Sequence, residues 1–426
     1  MARRAREEET PRSQPAGKSP RRTRRLVEVM AGIAALGVVG VGALAARARA
    51  VVNGDYAHVP EPAIVADTTP EGIARGEMLF QTICMECHGG PDGRATGKRL
   101  DEVPAFLGTF WSANLAHPET GVHRRTDGQI ARVLRTGVLP DGRLSPVMST
   151  FGHIGDADIA AILGYMRSNP PPFQPGGEAQ PRSEISMTGA FILTYVAKVS
   201  ADDKPAKHIP VPEKAPTVEY GGYMAQVLDC VGCHTEGFGS DKMNDPNAFA
   251  GGFELTDPTG TKIYTKNITF DEETGIGRWS LEDFERAVTR GVNPSGHVVR
   301  KPMPLFSRLD RTDVEALYAF LKSRPKVHRQ NRPGGHPVEK AHPGDPPEVL
   351  FANLGCAACH GENGPYRDKL MGAIDKPDAD VAAWILDPQA TKPGSVMPSF
   401  KGQIDPAQAE SLARYAKELA RRRRRS

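Results

Sequence analysis

The chain has little of what an enzyme of its size usually carries. Its 426 residues include 15 Phe, nine Tyr and three Trp, so aromatic side chains make up 6% of the sequence. Several ordinary cores are hard to fill from so few large apolar bodies. All six cysteines sit in three short motifs, which leaves none for a disulfide. No acid–base pair, activated nucleophile or Gly-rich nucleotide loop stands out, which speaks against substrate conversion on this chain. Net positive charge is also absent outside the ends. The net charge of +3 combines +6 on residues 1–25 and +5 on Arg421 to Arg425 with acidic regions. Residues 70–172, 216–326 and 345–420 carry −1, −3 and −4. The basicity belongs to the tails, and no nucleic-acid partner is expected.

What is present is one pentapeptide in three copies. Cys84-Met85-Glu86-Cys87-His88, Cys230-Val231-Gly232-Cys233-His234 and Cys356-Ala357-Ala358-Cys359-His360 are each C-x-x-C-H, the attachment signature of c-type haem. Residues i and i+3 share one face of a helical turn, so both thiols reach the two vinyl groups of one porphyrin. The following imidazole is then held beside the ring as a ligand to iron. Zinc sites pair two such motifs around one ion, and a redox C-x-x-C needs no trailing His. Three covalently bound haem c groups are therefore expected. Cys84, Cys87, Cys230, Cys233, Cys356 and Cys359 would hold them, with His88, His234 and His360 as proximal ligands.

A length of 426 residues suits about three domains, and 44 Gly and 37 Pro suit small domains joined by irregular segments. Arg21-Arg22-Thr23-Arg24-Arg25 precedes an apolar stretch from Leu26 to Ala46, interrupted by Glu28. That is close to the ~20 residues that cross a bilayer as a helix. The positive-inside rule puts residues 1–25 in the cytoplasm and the rest on the exported side. Ala48-Arg49-Ala50 resembles a signal-peptidase site, so a cleaved signal segment is the alternative. The long basic lead and long apolar run favour an anchor at 26–46. The expected location is a bacterial inner membrane, single-pass, with the rest of the chain periplasmic.

The remaining layout reads as a tether at 47–69, domains at 70–172, 216–326 and 345–420, linkers at 173–215 and 327–344, and a basic tail at 421–426. Within the first linker, Phe191 to Val199 is apolar enough to pack on a neighbour. Helices are expected over Glu71 to Phe80, from a cap at Thr126 or Asp127 through Arg135 to a stop at Gly137, over Asp156 to Ser168, and over Pro406 to Ala420. Residues 121–143 align with 275–297 without a gap. Seven positions are identical, among them Gly121/Gly275, Arg132/Arg286 and Gly137/Gly291. Asn114 and Asn267 open matching segments just upstream. One supersecondary unit is used twice.

Downstream of each motif stands Met-x-x-Phe, at Met148, Met303 and Met397, and a helix-like stretch follows each. A thioether is a soft, neutral ligand that raises the potential of a haem and closes its coordination sphere. Met148, Met303 and Met397 are the expected distal ligands. For the first site His153, five residues beyond Met148, is the alternative. Filled coordination spheres argue against a multihaem peroxidase.

The second region resembles the multihaem cytochrome c subunits of membrane-bound bacterial alcohol and gluconate dehydrogenases. The likeness rests on Tyr220-Gly221-Gly222-Tyr223, Cys230 to His234, Asn267-Ile268-Thr269, Glu273-Thr274-Gly275-Ile276-Gly277, Trp279-Ser280 and Met303-Pro304. The first region matches in part, through Asn114 to Gly142. Trp384 to Met397 in the third looks instead like small haem domains fused to oxidase subunits. The resemblance implies an all-α chain of three tandem class I cytochrome c domains behind the N-terminal transmembrane helix. It also implies electron transfer from a dehydrogenase catalytic subunit toward quinone or a terminal acceptor. A relay between a quinol-oxidising respiratory complex and a terminal oxidase is the alternative.

Overall fold

The computed structural model describes residues 20–90, 92–101, 103–199, 208–237, 242–256, 261–296, 298–299, 301–332, 341–342, 344–361, 366–393, 395 and 397–424. Residues 1–19 of the basic segment, 200–207 and 333–340 of the expected linkers, and 425–426 of the tail lie outside the described residues.

The chain divides into two compact units, 1–47 and 48–426. Helix Pro20–Asn53 accounts for the described part of the first and continues past the expected end at Ala46. Within it, Leu36–Asn53 is long and apolar enough to cross a membrane by length and composition. Met30, Ile33, Leu36, Val38, Val39 and Val41 are all exposed.

In the second unit apolar side chains gather into three principal cores, and each includes one motif cysteine: Cys84, Cys230 or Cys356. At each core the helix leading into a motif crosses a later helix. Pro70–Leu79 lies on Asp156–Arg167, Val218–Val227 on Arg311–Ser323, and Pro347–Asn353 on Pro406–Arg424. Glycine permits the first two crossings. A Cβ on Gly76 would stand 1.9 Å from the Ala161 carbonyl oxygen, and one on Gly221 would stand 1.9 Å from that of Ala316. No side chain tolerates that approach. In the third pair the buried residues Ala409 and Ala413 keep the later helix slim.

Local chemistry sets the helix ends. Thr126 and Gln129 form a capping box ahead of Asp127–Thr136, and left-handed Gly137 closes that helix. Ser280 and Asp283 do the same for Leu281–Arg290, which ends at left-handed Gly291. The aligned segments share more than sequence. Val122 N–H donates to the Leu115 carbonyl and Ile276 N–H to that of Thr269, both at 2.9 Å. Ser145 N–H donates to Gly137 at 2.8 Å and Val299 N–H to Gly291 at 2.7 Å.

The all-α expectation needs one correction. Two small antiparallel ribbons are present, pairing Gly108–Thr109 with Glu184–Ile185 and Glu254–Thr256 with Lys262–Tyr264. Ladders of two or three residues are too short to leave an alternating pattern in the sequence.

The described parts of the segments read as tether and first linker are packed down. Tyr56 and Val59 are buried with Val138 and Leu144, and Tyr56 N–H donates to the Gly142 carbonyl at 2.7 Å. Phe173 is fully buried, its ring 4.7 Å from that of Phe80. Asn114 Nδ2 donates to the carbonyls of Gly176 and Glu178. Ile192 of the apolar segment packs against Leu100, Leu107 and Phe110. Burying these scattered large side chains outweighs the loop-like composition around them.

A buried polar seam joins the first and second cores. Arg75 donates from Nε and Nη2 to the Asp158 carboxylate at 2.9 and 2.8 Å, and from Nη1 to the Tyr220 hydroxyl at 3.0 Å. Tyr223 donates to Asp158 at 2.6 Å, and Tyr220 donates to Asp313 at 2.7 Å. Asp158 and Asp313 are nearly inaccessible. Arg75→Ala strands a buried carboxylate and should cost about 3–5 kcal/mol in urea unfolding. Gly372→Ala, which adds a methyl where no atom lies within 4 Å, should stay within about 0.5 kcal/mol of the parent.

Candidate haem-attachment sites

Each motif is presented on a short helical turn, reached in three ways. The helix Pro70–Leu79 runs through one widened turn, Phe80–Cys84, into Met85–His88. The second motif starts after Asp229, held in the left-handed conformation at φ 53°. The third starts after Gly355 at φ 76°. In all three, paired cysteines three residues apart share one face of the turn.

The three imidazoles are held alike. Nδ1 of His88 lies 2.8 Å from the Ala113 carbonyl oxygen, that of His234 lies 2.7 Å from Lys266, and that of His360 lies 2.9 Å from Tyr366. A carbonyl only accepts, so Nδ1 carries the proton and Nε2 keeps its lone pair. Burial pulls all three pKa values below the ordinary histidine range, against the opposing pull of those carbonyl bonds. A neutral ring, fixed at Nδ1 and open at Nε2, is the form that ligates iron.

The thiols are half-buried. Their low-dielectric surroundings push Cys84, Cys230, Cys233 and Cys356 up to about 12. A thiol–disulfide exchanger needs the opposite shift. Among the described residues no three His, Cys, Asp or Glu side chains gather as a metal cage. The donor set thus fits covalent haem c: two thiols on one turn, then one neutral imidazole.

Sequence reading missed the carbonyls behind the imidazoles, although Asn114 and Asn267 mark two of them. Each Asn follows the carbonyl that its His uses, and each is buried. Asn267 Oδ1 accepts from Thr269 N–H at 2.9 Å, and its Nδ2 donates to the Val327 carbonyl at 2.8 Å. Asn114 makes the corresponding turn with Ala116. The third site lacks such an Asn. Its carbonyl comes from Tyr366, whose N–H donates back to Cys359 at 2.9 Å.

The distal candidates stand in the same cores as the cysteines. Met148 and Phe151 pack with Cys84, Met303 and Phe306 with Cys230, and Met397 and Phe400 with Cys356. His153 is half-buried in the turn after Phe151.

The motif regions also approach one another. Lys301, two residues before Met303, sets its ammonium 2.7 and 3.0 Å from the Glu86 carboxylate inside the first motif. Cys359 and Tyr366 of the third region lie within electrostatic reach of that ammonium. Burial weakens the Lys301 charge, but Glu86 and the other facing groups outweigh it and hold the pKa above the ordinary lysine range. Cys87 lies within electrostatic reach of Cys233.

Residues 71–166 match the family model for cytochrome C oxidase, cbb3-type, subunit III. That match is to a cytochrome c domain, which implies covalently bound haem c in this region. The chain is also similar to dehydrogenase cytochrome subunits. The cytochrome c subunit of an alcohol dehydrogenase (quinone) from Gluconobacter oxydans is 42% identical over 118 residues, 27% of this chain and 23% of the relative. The fructose dehydrogenase cytochrome subunit of Gluconobacter japonicus is 32% identical over 149 residues, 34% of this chain and 29% of the relative. The gluconate 2-dehydrogenase cytochrome c subunit of Pantoea cypripedii is 42% identical over 105 residues, 24% of this chain and 22% of the relative. The chain thus spans less than a third of the length of these relatives. The oxidase-subunit match falls on the first region, whereas the residues that suggested an oxidase likeness lie in the third.

Asn267→Ala removes the side chain that braces the Lys266 carbonyl and leaves buried groups unpaired. It should cost about 1–3 kcal/mol, read from urea unfolding of the purified chain.

Proposed function

We propose that the chain is a triheme c-type cytochrome, membrane-anchored on the exported side, that relays electrons for a dehydrogenase toward quinone or a terminal acceptor. One observation carries this reading: motif cysteine, Met and Phe, far apart in sequence, recur together in each of three cores. Covalently bound haem c supplies a one-electron iron couple. The cysteine pairs would hold it, and His88, His234 and His360 together with Met148, Met303 and Met397 would ligate its iron. The packed phenylalanines exclude water and raise the potential. Among the described residues no cluster stands out for acid–base or nucleophilic chemistry, and this reading assigns substrate conversion to a separate subunit. Similarity to the dehydrogenase cytochrome subunits supports such a partner. Helix Pro20–Asn53 is the proposed anchor. The match of 71–166 to an oxidase subunit model favours a second reading, a relay between a quinol-oxidising complex and an oxidase.

Carbon monoxide separates relay from oxygen or peroxide chemistry. The reduced parent protein should take up none, because a His and a Met would both ligate each iron. Met397→Ala and Met303→Ala should each open one haem to it. Met148→Ala should open a third, while His153→Ala opens none; the reverse result would assign the first distal ligand to His153. Rapid uptake by the parent protein would contradict the relay. Purification from the native membrane in mild detergent should bring a dehydrogenase with the chain. Oxidase or quinol-oxidising subunits in its place would establish the second reading.

A further inference from the structure

Lys301 and Glu86 are 215 residues apart in sequence and form an ion pair at 2.7 Å, with side chains only 13% and 23% exposed. Stability gives little reason for such a pair, since apolar residues of similar size often replace a buried ion pair without loss. Its position suggests another reason. Glu86 stands between the paired cysteines of the first motif. Tyr366, within electrostatic reach of the Lys301 ammonium, supplies the carbonyl that orients His360. Cys359, likewise within its electrostatic reach, is the second cysteine of the third motif. A charge held at low dielectric acts strongly on nearby redox groups, because one oxidation state carries an extra charge.

We propose that the Lys301–Glu86 pair is an electrostatic node that sets the reduction potentials of the first and third haem sites together. This rests on the triheme reading above. The ammonium favours the reduced state at both sites and the carboxylate favours the oxidised state. Their separation therefore fixes how far each site departs from the potential its axial ligands alone would give. The second site has charged neighbours of its own, since Cys233 lies within electrostatic reach of Asp229, Lys242 and Cys87. The pair is a tuning device and ligates nothing.

Potentiometric titration of the full-length, haem-loaded protein, followed by its visible spectrum, tests this. Lys301→Met should lower at least two of the three midpoints, and Glu86→Gln should raise the same ones. The double variant should return toward the parent, and Lys301→Arg should stay near it. A purely structural role would move both single variants in one direction. That result, or unmoved midpoints in both with three haems bound per chain, would overturn the node. Fewer than three haems in the parent protein would overturn the triheme reading beneath it.

Discussion

Everything at these sites depends on an imidazole whose Nδ1–H is tied to a backbone carbonyl. The bond fixes the tautomer, points Nε2 outward and holds the ring still, which a side chain with two free torsions does not do by itself. The carbonyl must in turn be immobile. In the first two regions a buried Asn, bonded both to its own turn and to the segment after the final helix, clamps it. In the third region a short return from Tyr366 to Cys359 takes that role. Two solutions to one constraint explain why the third region lacks the Asn-to-Gly segment that the others share.

The same constraint reaches the helix crossings. A motif turn can be rigid only if the helix feeding it is anchored. Gly76 and Gly221 let that helix sit directly on the backbone of its partner. The seam of Arg75, Asp158, Tyr220, Tyr223 and Asp313 then locks the first anchored pair to the second. Tyr220 and Tyr223 thereby acquire a physical role: their hydroxyls close the network between cores.

The motif cysteines stand out in the sequence because covalent haem attachment would demand their fixed spacing, and the methionines proposed as distal ligands because one tetrapeptide recurs in three equivalent places. In the first copy of the duplicated unit the caps at Thr126 and Gly137 were legible, since each acts within a single turn; the matching caps Ser280 and Gly291 emerged with the fold. The partner carbonyls were hidden because any residue can supply one. Lys301 and Glu86 were hidden because nothing local links residues so distant along the chain. The packing of residues 47–69 and of the segment after Phe173 escaped notice for a related reason. Isolated large side chains such as Tyr56, Val59 and Phe173 carry no period, and only the fold brings them to a core.

The central claim is that each of three motifs holds its own haem. The most direct test is the intact mass of the fully denatured protein, made in a bacterium that exports and matures c-type cytochromes. The account predicts three haem-sized additions per chain that survive denaturation, one of them lost with each pair of cysteines replaced by serine. Two or fewer additions in the parent protein, or a motif whose loss leaves the count unchanged, would contradict it.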